Sequence, residues 1–516
     1  MRVNYQANAT PQFRMLSDDQ IEEIFHSALE VLARVGARVY GGEGLTLLHD
    51  AGCLISDGAA STSSAGTAST SSAGTALASS AETDSTDSIG ALVRIPPGLV
   101  KEALSTTPER IVVAGRDRRK RISLQKDRIH FGTGSDCPSL IDPYNDEVRK
   151  YTYRDVYDAA RISDALPHID FHMSLGLTSG VFAQTYDRHQ FLAMLQGTSK
   201  PLVITTVDKA GLADQYRMAC EALGGPQEFA RAPLFVVYIE PSSPLSNSVE
   251  ATEKILYAAD VGIPAIFTPC TMCGGTGPVT LAGTIVQALA ESLVGVVLAQ
   301  LKRKGAAVIM GGVNTILDMA TSVMAYGAPE LSLISAAATD VAKWLGLPMF
   351  STAGCSDAKV LDQQAAIESA MSITIAALSG ANLIHDVGYL ESGLLGSFDM
   401  LVMSDEVIGM AKHILGGVSI SPETLAVDVI ERVEPGGHYL TQEHTRQHYK
   451  DEFWFPTLMD RQQRSGWEAG GGKTMAERVR AKVVHILEHH EPLPIPAEAE
   501  ARLKEIVAQA DERHKG

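Results

Sequence analysis

Residues 234–241 read LFVVYIEP and residues 263–270 read IPAIFTPC, with an amphipathic helical stretch at 249–259 between them. Each quoted run is continuously apolar until it ends in small or polar residues, which is typical of a strand buried on both faces of a parallel sheet. A strand, a helix and a second strand in this order predict a βαβ unit. The fold therefore depends on how often this unit recurs.

The unit recurs along the chain from residue 128 onward. Apolar runs of the same kind start at Ile129, Phe171, Leu202, Leu234, Ile263, Ala307, Pro348 and Leu383. Eight parallel units are the number that closes a TIM (β/α)8 barrel, and an open doubly wound sheet is the alternative α/β fold. We predict that residues 128–400 form the barrel core.

The chain before the barrel, residues 1–127, is predicted to be an extension built from a helix and a hairpin. Apolar residues at helical spacing predict a helix that begins near residue 18, with Ser17 or Asp18 as its N-cap. The apolar runs at 53–55 and 92–95 are expected to pair as a hairpin.

A low-complexity stretch at 57–90 separates these two runs, and it contains the octad STSSAGTA twice in tandem. Tracts of Ser, Thr, Gly and Ala bury too little apolar area to offset the entropy of ordering, so we expect a dispensable, mobile surface loop. After the barrel, residues 401–516 are predicted to form a helical extension that packs on it.

The overall composition excludes several classes of protein. The 516 residues include 43 basic and 61 acidic side chains, which gives a formal charge of −18. This charge disfavours binding to nucleic acid or to an anionic membrane surface. No run of about 18 uninterrupted apolar residues is present, and residues 1–18 lack the apolar segment of a signal peptide. We expect a cytoplasmic protein without a membrane span.

The active site of a TIM barrel lies at the carboxyl ends of its strands, which here carry acids and aromatic rings. These residues include Asp136, Asp208, Glu240, Asp357, Asp386, Tyr238, Phe267 and Tyr389. Acids and aromatic rings that converge on one mouth suit an organic cation, through charge and cation–π attraction. The alternative is that these acids are caps or surface charges at the rim.

Two other patterns are compatible with a metal site. Cys270 and Cys273 are spaced as a CxxC pair, to which Cys355 and Glu240 could add ligands across the mouth for zinc. His444 and His448 share one helix face, with His438 upstream, but the Glu of a zinc protease motif is missing. We favour small barrel-mouth residues for the cysteines and packing against the barrel for the histidine segment, and predict no metal.

Several motifs together carry a resemblance to one family. They are LVRIPP at 92–97, GTGSD at 132–136, GAPE at 327–330, AGCSDAKVLDQQAA at 353–366 and GGHYLTQEHTRQH at 436–448. The chain resembles the trimethylamine methyltransferase family, specifically its members without pyrrolysine that act on quaternary amines such as glycine betaine. The resemblance implies a TIM barrel that transfers a methyl group from the amine to the cob(I)alamin of a separate corrinoid protein.

The resemblance and the barrel geometry together nominate site residues. Substrate-binding candidates are Tyr238, Glu240, Phe267, Phe350 and Tyr389 around the ammonium, and Asn314, Thr352 and His385 around a carboxylate tail. Catalytic candidates are Cys355, Asp357 and Asp386, with Cys355 at or beside the position that pyrrolysine occupies in trimethylamine enzymes. An ordinary residue there favours a quaternary amine as the substrate.

Three alternatives stay open at this point. One is a related methyltransferase with a different methyl donor or acceptor, another is a non-catalytic betaine-binding barrel, and the third is a zinc-dependent methyltransferase that uses Cys270, Cys273 or Cys355. The helical extensions also favour a homo-oligomer.

Overall fold

The computed structural model describes residues 13–56 and 90–515, so the serine-rich stretch of 57–90 lies outside the described residues except for Gly90. The N-terminal elements are α1 (Asp18–Glu30), a π-helical turn (Val31–Val35), β1 (Ala37–Val39), α2 (Gly42–Asp50), β2 (Leu54–Ser56), β3 (Ala91–Arg94), α3 (Pro97–Thr106), β4 (Ile111–Ala114) and β5 (Arg121–Leu124). Ser17 caps α1 by accepting from the Gln20 N–H. The predicted hairpin is confirmed, since β2 and β3 pair antiparallel with Ile55 opposite Val93.

The central region alternates strands and helices as predicted. Its elements are β6 (Phe131–Thr133), β7 (Ser139–Ile141), β8 (Val148–Lys150), α4 (Tyr153–Ala165), β9 (Ile169–Phe171), α5 (Tyr186–Gly197), β10 (Leu202–Ile204), α6 (Lys209–Leu223), α7 (Pro226–Arg231), β11 (Phe235–Ile239), β12 (Ser246–Asn247), α8 (Val249–Val261), β13 (Ala265–Phe267), β14 (Met272–Cys273), α9 (Leu281–Lys302), β15 (Val308–Gly311), β16 (Thr315–Leu317), β17 (Met324–Ala325), α10 (Pro329–Trp344), β18 (Met349–Thr352), α11 (Gln363–Ser379), β19 (Leu383–Val387), β20 (Tyr389–Leu390), a 3-10 turn (Glu391–Gly393), β21 (Leu395–Gly396) and α12 (Phe398–Leu415).

The eight strands β6, β9, β10, β11, β13, β15, β18 and β19 form one parallel sheet that closes on itself. Each strand pairs with its neighbour along the chain, and β19 pairs with β6. A parallel bridge between His172 and Leu202 joins the remaining two edges. The predicted TIM barrel is confirmed; seven of its strands lie within the predicted apolar runs, and β9 begins at Ile169, two residues before the run predicted from Phe171.

Additional elements frame the two ends of the barrel. At the amino ends of the strands, the β4–β5 hairpin packs Ile111, Val113, Ile122 and Leu124 against the barrel interior. At the carboxyl ends, β7, β8, β20 and β21 form a small sheet, and β14, β16 and β17 form another. The first end is therefore filled, and the second carries the loops that surround the mouth.

Helix α9 is the most apolar helix around the barrel. By length and hydropathy Leu281–Lys302 could cross a membrane, but 72% of its most apolar 18-residue stretch is buried inside the fold. Its side chains pack against α1, α3, α8 and β15. The helix is thus a core element of the barrel wall.

The C-terminal region packs on the barrel only in part. It contains α13 (Pro422–Leu425), α14 (Val427–Val433), α15 (Glu443–Glu452), α16 (Arg464–Ala469), α17 (Met475–His489) and α18 (Ala497–Arg513). Helices α17 and α18 contact barrel helices, as predicted for the extension. In contrast, α13 to α16 bury none of their residues.

We call residues 416–456 the arm. It leaves the end of α12 and returns where the Glu406 carboxylate accepts the Thr457 and Leu458 N–H groups at 2.8 and 2.9 Å. Leu440 and Phe453 of the arm are 86% and 61% exposed. The arm therefore buries little of its apolar surface, in contrast to the prediction that the histidine and aromatic segment packs against the barrel.

Candidate active site at the barrel mouth

The floor of the mouth is a group of three rings that point into the barrel. Because side chains alternate along a strand, Tyr238 and Phe350 face the interior together with the barrel core. The rings of Phe350 and His385 lie 4.0 Å apart between centroids, and Tyr238 meets Phe350 edge-on at 5.8 Å. These three residues, all nominated from the sequence, are brought together.

His385 and Asp386 form a buried pair above this floor. His385 Nδ1 donates to the Ser351 carbonyl oxygen at 2.9 Å, and Nε2 lies 3.2 Å from Asp386 Oδ1. Burial lowers the pKa of His385 to about 3 and raises the pKa of Asp386 well above its ordinary value. The pKa of Asp386 is raised first by its burial and also by the charge of Glu240, whereas a hydrogen bond with Tyr389 opposes that rise.

The backbone of Asp386 has φ of +75°, in the left-handed region that a non-glycine residue rarely adopts. Its neighbour across the mouth is Gly134, where a Cβ atom would overlap the Tyr389 ring. The GTGSD motif therefore places a glycine where the carboxyl and the phenol approach the backbone.

Tyr326 and Tyr389 form an aromatic wall beside this pair. Their rings stack at 6.5 Å with an interplanar angle of 24°, and the Tyr389 hydroxyl donates to the Ser135 carbonyl oxygen. The Tyr326 hydroxyl is buried without a hydrogen-bond partner among the described residues. Sequence reasoning missed Tyr326 because it follows the hairpin β16–β17 rather than a barrel strand; the adjacent GAPE motif is the only signal.

Glu240 provides a second carboxyl group at the mouth. The Tyr238 hydroxyl donates to Glu240 Oε2 at 2.9 Å. Burial raises the pKa of Glu240 to about 7, although the charge of Lys254 opposes that rise. Lys254 reaches from α8 and donates to the Thr206 carbonyl oxygen at 3.1 Å. Lys254 was not nominated, because a helix position on the barrel wall gives no sequence signal.

Asp136 is a third carboxyl group, at the end of the GTGSD motif. Gln190 Nε2 donates to its Oδ1 at 2.7 Å, and burial raises its pKa. The pKa of Tyr186, at the start of α5, is raised by burial and then by the charges of Asp136 and Asp187. Three carboxyl groups with raised pKa values therefore share the mouth with four tyrosines, namely Tyr186, Tyr238, Tyr326 and Tyr389.

Phe267 is a correction to the predicted aromatic wall. It is the last residue of β13, and its ring faces outward onto α9, where a Cβ at Gly295 would overlap it. Its neighbours Ile266 and Thr268 occupy the alternate positions, and Ile266 belongs to the interior cluster. Because side chains alternate between the two faces of the strand, the Phe267 ring does not face the mouth.

Asp357, predicted to be catalytic, is bound to neighbouring loops through both of its carboxylate oxygens. Its Oδ1 accepts the Tyr326 N–H at 2.8 Å and the Ser392 hydroxyl at 2.7 Å, and its Oδ2 accepts the Gly327 N–H at 2.9 Å. Both oxygens are therefore occupied by backbone and side chain groups of neighbouring loops. Asp357 is a positioning residue that holds Tyr326 in the wall.

The remaining nominated residues are buried around the same loops. Cys355 donates its thiol to the Tyr326 carbonyl oxygen at 3.7 Å, and burial raises its pKa well above the ordinary value, which favours the neutral thiol. Asn314 Oδ1 accepts the Thr271 N–H at 3.3 Å and supports that loop. The Thr352 hydroxyl is buried without a hydrogen-bond partner among the described residues.

The two metal-type patterns are not assembled as ligand sets. In the described part of the chain no three His, Cys, Asp or Glu side chains are grouped to hold a metal ion. Cys273 Sγ donates to the Thr284 hydroxyl at 3.2 Å. The rings of His444 and His448 lie 4.4 Å apart on the arm, away from the mouth.

Comparison with known proteins agrees with this architecture. The chain matches the trimethylamine methyltransferase (MTTB) family over residues 1–514 and belongs to it. It is 32% identical over 498 residues to the trimethylamine methyltransferase MttB of Desulfitobacterium hafniense, covering 96% of this chain and 94% of that one. It is 27% identical over 507 residues to the glycine betaine methyltransferase of the same species, covering 97% of both. The protein is a methyltransferase, which sets aside the non-catalytic alternative.

A solved structure supports the fold alone. The monomethylamine methyltransferase of Methanosarcina barkeri superposes with a TM-score of 0.51 at 12% identity, covering 94% of this chain and 89% of that one. The two chains share the overall fold.

Proposed function

We propose that this methyltransferase transfers a methyl group from a quaternary amine to the cob(I)alamin of a separate corrinoid protein. One observation carries the proposal: tyrosine rings and carboxyl groups surround a single barrel mouth in a family of amine methyltransferases. An aromatic wall attracts a permanent cation through the ring quadrupole, and ionisable carboxyl groups balance its charge.

The acid–base groups of the mouth match this choice of substrate. A quaternary nitrogen leaves as a neutral tertiary amine when the bond to its methyl carbon breaks, so no proton has to be supplied. His385 is neutral because burial lowers its pKa to about 3, and its Nδ1 proton is held by the Ser351 carbonyl oxygen. For a quaternary amine the mouth has only to bind and orient the cation.

The residues at the mouth have distinct tasks in this proposal. Tyr326 and Tyr389 form the wall for the ammonium, with Tyr238 and Phe350 below. Glu240 ionises when the cation binds, because a nearby positive charge favours the carboxylate form. Together these mouth residues hold the nitrogen and one methyl carbon in line with the open end of the barrel. Holding the substrate in this orientation reduces the entropic cost of the methyl transfer.

The open end has the surface expected for a partner protein. Loops that follow the barrel strands expose large apolar side chains, which are Tyr144, Val148, Phe182, Val279, Met319, Val323, Val360 and Leu394. We call these residues the mouth ring. Exposed apolar residues distributed around one site are typical of protein–protein contacts. A docked corrinoid protein would supply the reduced cobalt nucleophile and exclude water from the mouth.

A homo-oligomer remains part of the proposal. The arm buries little in its own chain and exposes apolar side chains along its length, including Val418, Leu440 and Phe453. A second copy of the chain is the occupant we propose for it. A cytoplasmic location stays a prediction of the sequence.

A reconstituted assay tests the proposed function. Purified protein is mixed with cob(I)alamin and a panel of amines that includes trimethylamine, tetramethylammonium, choline and glycine betaine, and loss of the cob(I)alamin absorption is followed. We expect turnover with quaternary amines and none with trimethylamine. Turnover with trimethylamine alone would overturn the proposal, and transfer to an acceptor other than a corrinoid would support the alternative of a related methyltransferase.

A further inference from the structure

We propose that the arm of one copy of the chain lies against the amino end of the barrel of a second copy, where its acidic and apolar side chains cover a basic hairpin. The exchange is reciprocal, so two copies form a dimer whose barrel mouths point away from each other. The inference rests on the homo-oligomer of the proposed function and names the surface that receives the arm.

The arm has the composition of a contact surface. Its exposed large apolar side chains are Val418, Ile420, Leu425, Val427, Ile430, Tyr439, Leu440, Phe453 and Phe455. They are nine of the 27 such side chains that the described part of the chain exposes. Apolar surface concentrated in one segment marks a site of protein–protein contact.

The arm also carries a negative charge. Residues 416–456 contain seven acids and three bases. Glu443 pairs with Arg446, and Glu423 lies 3.3 Å from His448 Nε2. The other five acids are exposed, and they are Asp428, Glu431, Glu434, Asp451 and Glu452. The surface that receives the arm should therefore be basic as well as apolar.

Residues 108–128, which contain β4 and β5, are an exception in this acidic chain, and we call them the basic hairpin. They include eight bases and three acids, whereas the whole chain has a formal charge of −18. The exposed bases are Arg110, Arg119, Arg121, Lys126 and Arg128. Arg119 pairs with Asp117, whereas Arg110 and Arg121 have no ion pair among the described residues. The basic hairpin thus has the charge that complements the arm.

The arm and the basic hairpin are at the same end of the barrel. The hairpin meets the amino ends of the strands, since the Ala114 N–H donates to the Pro233 carbonyl oxygen ahead of β11 at 2.9 Å. The arm begins after α12, whose Lys412 Nζ donates to the His168 carbonyl oxygen ahead of β9 at 3.1 Å. A two-fold axis through this end places each arm next to the amino end of the other barrel, in the isologous geometry that is commonest among dimers.

A groove beside the basic hairpin fits the apolar part of the arm. It has a volume of about 450 Å³, and its lining includes Phe25, Leu104, Trp344 and Glu109 of the hairpin. The Trp344 ring is 43% exposed. Phe453 of the arm is 61% exposed and directly follows two acids. An aromatic side chain next to acids suits an aromatic groove next to a basic segment.

This dimer leaves both barrel mouths free. The mouths lie at the carboxyl ends of the strands, opposite to the end that carries the arm and the basic hairpin. Two corrinoid proteins can therefore dock on one dimer. Loss of the dimer should leave methyl transfer to free cob(I)alamin unchanged.

Paired charge reversals in the full chain test the inference by analytical ultracentrifugation. Arg110→Glu with Arg121→Glu and, separately, Glu431→Lys with Glu434→Lys should each weaken dimerisation by at least about tenfold. All four substitutions together should recover affinity, because the two surfaces again carry opposite charges. No recovery in the combined variant would overturn the inference.

A matched control and a cross-link complete the test. Lys209→Glu with Lys504→Glu removes two exposed bases on α6 and α18 and should leave the dimer intact. A photoreactive benzoylphenylalanine in place of Phe453 is activated in a mixture of isotope-labelled and unlabelled copies. We expect cross-linked peptides that join the arm of one isotope to residues 101–128 or 344–346 of the other. Cross-links to another surface of the second copy, or only within one copy, would overturn the inference.

Failure of the inference is distinguishable from failure of the proposed function. A dimer that survives both pairs of reversals, together with tight binding of a short single-stranded oligonucleotide that Arg110→Glu with Arg121→Glu abolishes, would assign the basic hairpin to nucleic acid and overturn the inference alone. A monomeric wild-type protein would overturn the homo-oligomer and the inference together. A dimer that joins arm and hairpin but demethylates no amine would support the inference, and the methyl transfer proposal would fail.

Discussion

His385 Nε2 lies 3.2 Å from Asp386 Oδ1 while His385 Nδ1 donates to a backbone carbonyl, and burial disfavours the charged form of both residues because it lowers the pKa of His385 and raises that of Asp386. This pair sits between the aromatic floor and the tyrosine wall. It provides a polar but uncharged surface in a buried place, and it makes Glu240, with a pKa of about 7, the group that responds to a cation.

Asp386→Asn and Asp386→Ala should differ. The asparagine side chain has the size and polarity of a neutral carboxyl group, so we expect an intact fold and a fall in kcat/KM of less than about tenfold. The alanine variant removes a buried polar group that His385 and Tyr389 face, which costs about 1–3 kcal/mol of unfolding free energy. Denaturant unfolding and steady-state kinetics measure both. Equal damage by the two substitutions would contradict a protonated Asp386.

The affinity for a quaternary cation should depend on pH through Glu240. Its raised pKa means that the carboxyl is neutral below about pH 7 and ionised above it, and the ionised form attracts the cation. KM should therefore fall as pH rises through 7 and then level off. Glu240→Gln should flatten the profile, whereas Glu253→Gln should keep it. An unchanged step in Glu240→Gln would assign the titration to another group.

Tyr389→Leu and Phe267→Leu form a matched pair of aromatic substitutions. Tyr389 belongs to the wall, so its loss should raise KM by about tenfold. Phe267 packs outward on Gly295, so its loss should lower the unfolding free energy by about 1–2 kcal/mol and leave KM within about twofold. Thermal unfolding and steady-state kinetics on both variants distinguish a ring that contacts the ligand from one that only packs against α9. A raised KM for Phe267→Leu would place its ring at the ligand.

Asp357→Ala should lower activity without any contact to substrate. Its carboxylate holds the Tyr326 and Gly327 N–H groups, so the substitution loosens the wall. We expect KM to rise by about tenfold, with Asp357→Asn intermediate because one acceptor remains. The same KM effect in Tyr326→Ala, and no further effect in the double variant, would show that the two residues act together. Additive effects would contradict the positioning role.

The mouth ring should matter only when a partner protein delivers the corrinoid. Val148→Lys and Met319→Lys place charges on exposed apolar positions and should slow transfer to the cognate corrinoid protein by about tenfold or more. Transfer to free cob(I)alamin should be unchanged. Leu54→Lys, on the N-terminal hairpin and also exposed, is the control. Loss of activity with free cob(I)alamin would indicate damage to the mouth itself.

Some of the site could be derived from the sequence because strand ends have a fixed place in a barrel. Tyr238, Glu240 and Tyr389 end or follow barrel strands and reach the mouth as expected. Phe267 was misplaced because the phase of alternation in a strand of three residues cannot be read from a continuously apolar run. Tyr326 and Lys254 reach the mouth from a loop and a helix, and only the tertiary structure could reveal them.

The sequence by itself determined the family, since the motifs span the chain, and its eight apolar runs at regular intervals predicted the barrel against the alternative of an open doubly wound sheet. The tertiary structure alone decided which side chains face inward, that Asp357 holds a loop instead of a ligand, and that the arm buries little of its apolar surface. The physical reason is that burial, protonation and hydrogen-bond partners are set by groups distant in the chain, whose approach no local pattern records.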